Sequence, residues 1–201
     1  MIRNISGVIL AGGACKRFNG LIKPLIAIGG KTIISRMIDA ISDIFSEIII
    51  VSNTPDQFIE YKNCRIISDH FLNMGPLGGI HSALVDTTKE AIFVFAGDMP
   101  MLDREIIAGQ IDFYNANKCD IVIPSIELSI EPLHGIYKKS LAGLLEDYLK
   151  CKCNHAVREF LKIAEVQYMQ MDISEKTKIA FTNINSPGDL PPVKNCQGWN
   201  E

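Results

Sequence analysis

The first 38 positions contain no acidic residue, while Arg3, Lys16, Arg17, Lys23, Lys31 and Arg36 place six basic ones there. The other 163 residues hold 14 basic and 23 acidic side chains, so the formal net charge of −3 averages over an uneven chain. A basic footprint for nucleic acid is lacking, and no nucleic-acid partner is expected. A local anionic ligand fits the cationic segment better than a long polyanion does. Charged residues make up 21% and hydrophobic residues 47%, an ordinary balance for a globular protein with no excess of charge. That balance excludes a disordered chain and a charge-dense helical rod. No apolar run approaches the roughly 18 residues of a membrane span, so no membrane partner is expected. The apolar stretch after Ser6 is too short for a secretory core and lacks a small-residue cleavage pattern. The expected location is therefore cytoplasmic. In that setting Cys15, Cys64, Cys119, Cys151, Cys153 and Cys196 read as reduced thiols rather than a disulfide framework. Cys151-x-Cys153 with His155 resembles a zinc fragment, but no second ligand pair lies at finger spacing.

Two familiar phosphate motifs are missing too. Gly30-Lys31-Thr32 looks like the end of a P-loop, yet Leu25 stands where the first glycine is required. No G-x-G-x-x-G follows the first apolar run. Gly29-Gly30 is expected to turn a hairpin between residues 25–28 and Lys31.

What is present is an alternation of β-branched apolar runs with segments of helical period. Strands are expected at 6–10, 47–52, 65–68, 91–96, 120–124 and 133–137, and helices at 32–41, 77–86, 104–117 and 141–150. Segments 157–163, 166–171 and 180–183 complete the alternation. Strands apolar on both faces and separated by helices imply a mostly parallel sheet covered on both sides. The expected fold is one doubly wound α/β domain over residues 1–190, with a frayed tail at 191–201. In such folds the site lies beyond the carboxyl ends of the strands.

That rule selects the loop Leu10-Ala11-Gly12-Gly13 and the cations after it. Small residues and glycines let backbone N–H groups approach an anion, while Lys16, Arg17 and Lys23 add charge. The pattern suits a triphosphate, although a basic surface loop has the same ingredients. Asp98 ends the most apolar strand, which suits a magnesium ligand as well as a helix cap; Asp103 is better placed for the cap. Asn53 and Asp69 end strands at the same crevice and suit either a base and ribose or an Asx turn. The run from Gly75 to Gly79 suits either a tight turn or a close approach to a base. His134 in its apolar strand suits the core, and Asn183 and Asn185 suit turns.

These segments together resemble a known family. Leu-Ala-Gly-Gly, Arg17, Lys23-Pro24-Leu25, Gly30-Lys31-Thr32, Gly75-Pro76-Leu77-Gly78-Gly79, Gly97-Asp98-Met99-Pro100, Glu131-Pro132-Leu133-His134 and the run from Asn183 to Leu190 occur in order. They resemble the nucleotidyltransferases that activate sugars, lipid precursors and molybdopterin, and most of all the molybdenum cofactor guanylyltransferases. The resemblance implies a Rossmann-like fold and transfer of GMP from GTP to the terminal phosphate of molybdopterin, with release of pyrophosphate. It implies Mg²⁺ on Asp98 and catalytic roles for Lys23, Arg17 and Asp98. It implies nucleotide contacts from Leu10, Ala11, Gly12, Gly13, Lys23, Asn53, Asp69, Gly75, Gly78 and Asp98. His134, Asn183 and Asn185 match positions near the acceptor. The partners implied are GTP and molybdopterin or the molybdenum cofactor, with room for transient cofactor-delivery proteins. Asn19 and Ile22 depart from the family pattern, which has glycine and an acidic residue there. A cytidylyltransferase of the same cofactor, a sugar-phosphate nucleotidyltransferase, and a non-catalytic nucleotide-binding or cofactor-carrying protein remain open.

Overall fold

The computed structural model describes residues 2–12, 22–151, 154–184 and 189. Strand β1 (Ile5–Leu10) runs through the middle of an eight-stranded sheet. Beside it lie β4 (Ile48–Val51) and then β5 (Arg65–Ile67) on one side, and β6 (Ala91–Ala96) on the other, all parallel. The chain thus winds outward to β5 and returns across β1 to β6. The crevice of a doubly wound sheet belongs at that reversal.

The far side of the sheet departs from a purely parallel pattern. β9 (His134–Lys138) inserts antiparallel between β6 and β7 (Ile121–Ile126), and β10 (Val166–Gln170) adds parallel to β7 at the edge. A short hairpin from β7 into β8 (Ser129–Ile130) turns at Glu127, whose φ is 53°. The link from β7 to β9 is too short for a crossover helix, so β9 returns in the opposite direction.

The two faces of the sheet carry separate apolar layers because side chains alternate along each strand. Ile5, Ile9, Ile50, Phe93 and Phe95 face one layer, which α1 (Ile33–Ile41) and α3 (Arg104–Asn117) cover. Val8, Ile49, Val51, Ile92 and Val94 face the other, covered by α2 (Pro76–Asp86) and α4 (Ala142–Lys150). The expected doubly wound α/β fold is what the chain forms.

Local chemistry sets the element ends. Thr32 caps α1 by accepting from the Ser35 amide at 3.2 Å, and Ile33, Ile34, Met37 and Ile41 bury its stripe. Asp103 caps α3 by accepting from the amides of Glu105 and Ile106 at 2.9 and 3.0 Å. Asp98 is thereby relieved of a capping role. Gly29 and Gly30 have φ of 56° and 79°, which is the two-residue turn expected between β2 (Ala27–Ile28) and β3 (Lys31–Thr32).

Near the carboxyl end the alternation is less regular than expected. α5 is only Val157–Phe160, and a helix α6 (Glu175–Ala180), absent from the sequence reading, is capped by Ser174. Residues 180–183 close α6 and continue without forming a strand. The proposed tail at 191–201 lies outside the described residues.

Candidate active site

A crevice of about 690 Å³ opens at the carboxyl ends of β1, β4, β5 and β6. That volume is typical of small-molecule sites. Leu10 and Gly12 enter it from the end of β1, Ser52 and Asn53 from the end of β4, and Asp69 from the loop after β5. Asn73, Gly75, Pro76 and Gly79 enter from the start of α2, and Ala96, Gly97 and Asp98 from the end of β6. Lys23 and Pro24 close one wall and Leu133 another.

The strand ends approach closely at Gly97. A Cβ there would lie 2.6 Å from the Leu10 carbonyl oxygen and 2.8 Å from Pro24 Cγ. Any side chain would push β6 away from the segments carrying Leu10 and Lys23. The absence of one brings two opposite charges together: Lys23 Nζ donates to Asp98 Oδ2 at 2.8 Å. Both side chains are only about a fifth exposed, so solvent screens the pair less than it screens surface ion pairs.

At the other end of the crevice Asn53 and Asp69 clasp one another. Asn53 Nδ2 donates to Asp69 Oδ2 at 2.9 Å, and the Asp69 amide donates to Asn53 Oδ1 at 3.1 Å. Burial pushes the Asp69 carboxyl above its ordinary value, against the opposing bond from Asn53. The crevice therefore has a cationic and carboxylate end by β1 and β6, and an amide and carboxylate end by β4 and β5. A nucleotide has the matching polarity, with phosphates at one end and a hydrogen-bonding base and sugar at the other.

Of the residues expected from sequence, Leu10, Gly12, Lys23, Asn53, Asp69, Gly75 and Asp98 meet in this crevice. Ala11 is buried directly behind it. Gly78 is a packing position rather than a lining one: a Cβ would lie 2.7 Å from the Phe71 carbonyl oxygen. Gly79, one residue on, lines the crevice instead. Gly13, Arg17 and Asn185 lie outside the described residues.

His134 is a correction. It has no exposed surface and sits edge-on to Phe93, Phe95 and Phe181. Burial lowers its imidazole to about 4, so it is neutral near pH 7. β9 lies inside the sheet, and His134 faces an apolar layer while Leu133, just before it, reaches the crevice. Asn183 does not line the crevice, but the neighbouring Ile184 amide donates to the Asp98 carbonyl at 2.8 Å. That bond brings the segment carrying Asn183 against the backbone of the metal candidate.

Pro76, Gly79, Gly97 and Leu133 line the crevice from runs singled out in the sequence, whereas Ser52 and Asn73 line it without having been named. Asn73 had a signal: it precedes Met-Gly-Pro, and asparagine tolerates the left-handed conformation it adopts at φ 63°. Ser52 had none beyond standing at a strand end.

Among the described residues, no three His, Cys, Asp or Glu side chains converge to hold a metal by themselves. Cys151 is exposed, and Cys153 lies outside the described residues. A single carboxylate at a crevice mouth still fits magnesium, which usually takes one or two carboxylates and completes its shell with phosphates and water. Asp98 already receives a cationic group, the Lys23 ammonium, so a positive charge is accommodated at that oxygen.

Comparison with known proteins places this geometry. A MobA-like NTP transferase domain matches residues 7–169. A relative from Natranaerobius thermophilus, named a "probable molybdenum cofactor guanylyltransferase", is 37% identical over the whole of both chains. The molybdenum cofactor guanylyltransferase of Desulfosudis oleivorans is 30% identical over 92% of each chain. The crystal structure of molybdopterin-guanine dinucleotide biosynthesis protein A from Archaeoglobus fulgidus superposes with a TM-score of 0.77 at 26% identity, covering 92% of this chain and 94% of that one. CMP:2-keto-3-deoxy-manno-octonic acid synthetase shares the fold at a TM-score of 0.70 and 12% identity, covering 93% of this chain and 95% of that one. With the family model covering residues 7–169 and a relative 37% identical over both whole chains, the chain that builds this crevice belongs to the MobA-like NTP transferase family.

Proposed function

We propose that the protein transfers GMP from GTP to the terminal phosphate of molybdopterin and releases pyrophosphate. The observation that carries the reading is the Lys23–Asp98 pair at the crevice mouth, in a chain whose relatives bear the guanylyltransferase name over their full length. The acceptor is a phosphate monoester, largely ionised near neutral pH. One of its oxygens attacks the α-phosphorus of GTP, and the bond from that phosphorus to the bridging oxygen of the β-phosphate breaks. The electron pair leaves with pyrophosphate. The attacking oxygen carries no proton, so no general base is required. The protein's task is then positioning and neutralisation of charge.

Lys23 sits where its ammonium can meet negative charge growing on the leaving pyrophosphate. Arg17 is assigned a fork on two phosphate oxygens, and the backbone of Gly12 and Gly13 the approach to the triphosphate. Asn53 and Asp69 hold the far end of the crevice, where amide donors and carboxylate acceptors suit a guanine edge or ribose hydroxyls. Asp98 would hold Mg²⁺, which would supply positive charge to the phosphate oxygens. Leu133 on the crevice wall, and the segment carrying Asn183 behind the Asp98 backbone, are the parts of this reading closest to the acceptor.

Purified protein incubated with GTP, magnesium and molybdopterin should release pyrophosphate and form the guanine dinucleotide. Asp98→Ala and Lys23→Ala should each reduce that transfer by about 10²- to 10³-fold, the range for removing a main electrostatic stabiliser. Near wild-type turnover in either variant, with the fold intact by circular dichroism, would sink the assignment. Parallel reactions with CTP, ATP and UTP test the choice of GTP.

A further inference from the structure

Lys23 and Asp98 meet before any substrate is bound, and their geometry has a consequence for the order of binding. We infer that in the nucleotide-free protein the Lys23 ammonium occupies the cation position at Asp98, so that a divalent ion gains that carboxylate only when a triphosphate draws the ammonium away. The inference rests on the reading of Asp98 as the carboxylate that meets the metal.

The contact is close, at 2.8 Å between Nζ and Oδ2, and it is not a chance encounter of surface chains. Lys23 begins a short 3-10 turn, Lys23–Leu25, in which Pro24 is buried. Gly97 admits Pro24 beside the Asp98 backbone, since a Cβ on it would lie 2.8 Å from Pro24 Cγ. The turn therefore holds the lysine stem next to the carboxylate. An ammonium there neutralises the charge that a divalent ion would seek, and it repels that ion at short range. No cluster of three acidic or imidazole ligands among the described residues offsets the loss.

A triphosphate changes the competition. Bound in the crevice that Lys23 and Asp98 line, it would offer several anionic oxygens to a flexible, compact ammonium. Movement of Lys23 from Asp98 to the phosphates frees the carboxylate as the phosphates also offer ligands to the ion. Nucleotide and divalent cation then bind with positive coupling, and by reciprocity each tightens the other. One lysine serves first as placeholder and then as phosphate clamp.

Manganese provides a spectroscopic probe. Free Mn²⁺ is followed by its EPR signal during titration of the whole protein, without and with GTP, in wild type, Lys23→Met, Asp98→Asn and the double variant. Without nucleotide, Lys23→Met should bind Mn²⁺ about tenfold more tightly than wild type, a factor equal to about 1.4 kcal/mol. The gain should disappear in the double variant, and Lys23→Gln should reproduce it if it stems from removed charge. Equal Mn²⁺ binding by wild type and Lys23→Met, with both folded, overturns the placeholder. If the Mn²⁺–GTP complex of the wild-type protein is nevertheless weakened by Asp98→Asn, the metal reading survives that failure. If Asp98→Asn leaves the complex unchanged, the metal reading falls and takes the placeholder with it.

Discussion

His134 stands in a segment whose resemblance to the family suggested an acceptor role, yet its imidazole packs against three phenylalanine rings with no exposed surface. Its nitrogens have no hydrogen-bond partner among the described residues, so protonating it would bury an uncompensated charge. The sign of the pH effect follows from the lowered value. Above 6.5 the ring is neutral in both folded and unfolded chains, and the fold keeps its full stability. As pH falls from 6.5 through about 4, the unfolded chain takes up the proton first and stability is lost. Thermal melts of His134→Phe should therefore decline less between pH 7 and pH 5 than those of wild type, while GMP transfer at pH 7 persists. A pH slope identical to wild type would contradict the buried neutral imidazole. Lys23 and Asp98 present the opposite case, in which residue type and strand-end position in the sequence already suggested the chemistry. What the sequence could not show is that the two side chains touch, because they are 75 positions apart.

Helix α3 lies between the two readings of Asp98. An aspartate at the end of β6 suits a helix cap as well as a metal, and the two roles compete for the same carboxylate. Asp103 takes the cap by accepting from two amides at the start of α3, and the Asp98 carboxylate instead meets Lys23. Asp103→Ala should lower stability by about 1 kcal/mol, the usual cost of losing such a cap. Chemical denaturation measures that loss, and the KM for GTP should stay unchanged because Asp103 is outside the crevice lining. Elements were legible where periodicity was strong: β6 and α3 occupy the residues expected, 91–96 and 104–117. β9 was legible as a strand but not in direction. Direction depends on the length and path of the β7–β9 link, and the antiparallel return is what turns His134 inward and leaves Leu133 at the crevice. α6 is short and mostly exposed, so it lacks the apolar stripe that announces a helix.

Across the whole molecule, the sheet has a reactive end and a fastened end. At the fastened end Glu47, just before β4, accepts from the hydroxyls of Ser6, Thr87 and Thr88 and from the Thr88 amide. This joins the start of β1 to the segment leading into β6. Burial acts to raise the Glu47 carboxyl, but the bonds from Ser6, Thr88 and Thr87 outweigh it and hold the group below its ordinary value. A lowered carboxyl supplies stability that is present above the unfolded value of 4.5 and is lost as pH falls through the folded value. Glu47→Gln should therefore melt below wild type at pH 7, by roughly 1–3 kcal/mol for the groups left unpaired. The difference should shrink as pH drops below 4.5. Transfer kinetics should not change, since Glu47 lies at the other end of the strands. The sequence by itself determined the β/α alternation, the composition of the glycine loop after the first strand and the family, because periodicity and ordered motifs are local properties of a chain. Only the tertiary structure decided which motif residues share a crevice, since that depends on strand order and on approaches such as Gly97 against Leu10 and Pro24. Those approaches put an ammonium from one loop onto a carboxylate from a distant strand, which no spacing along the chain encodes.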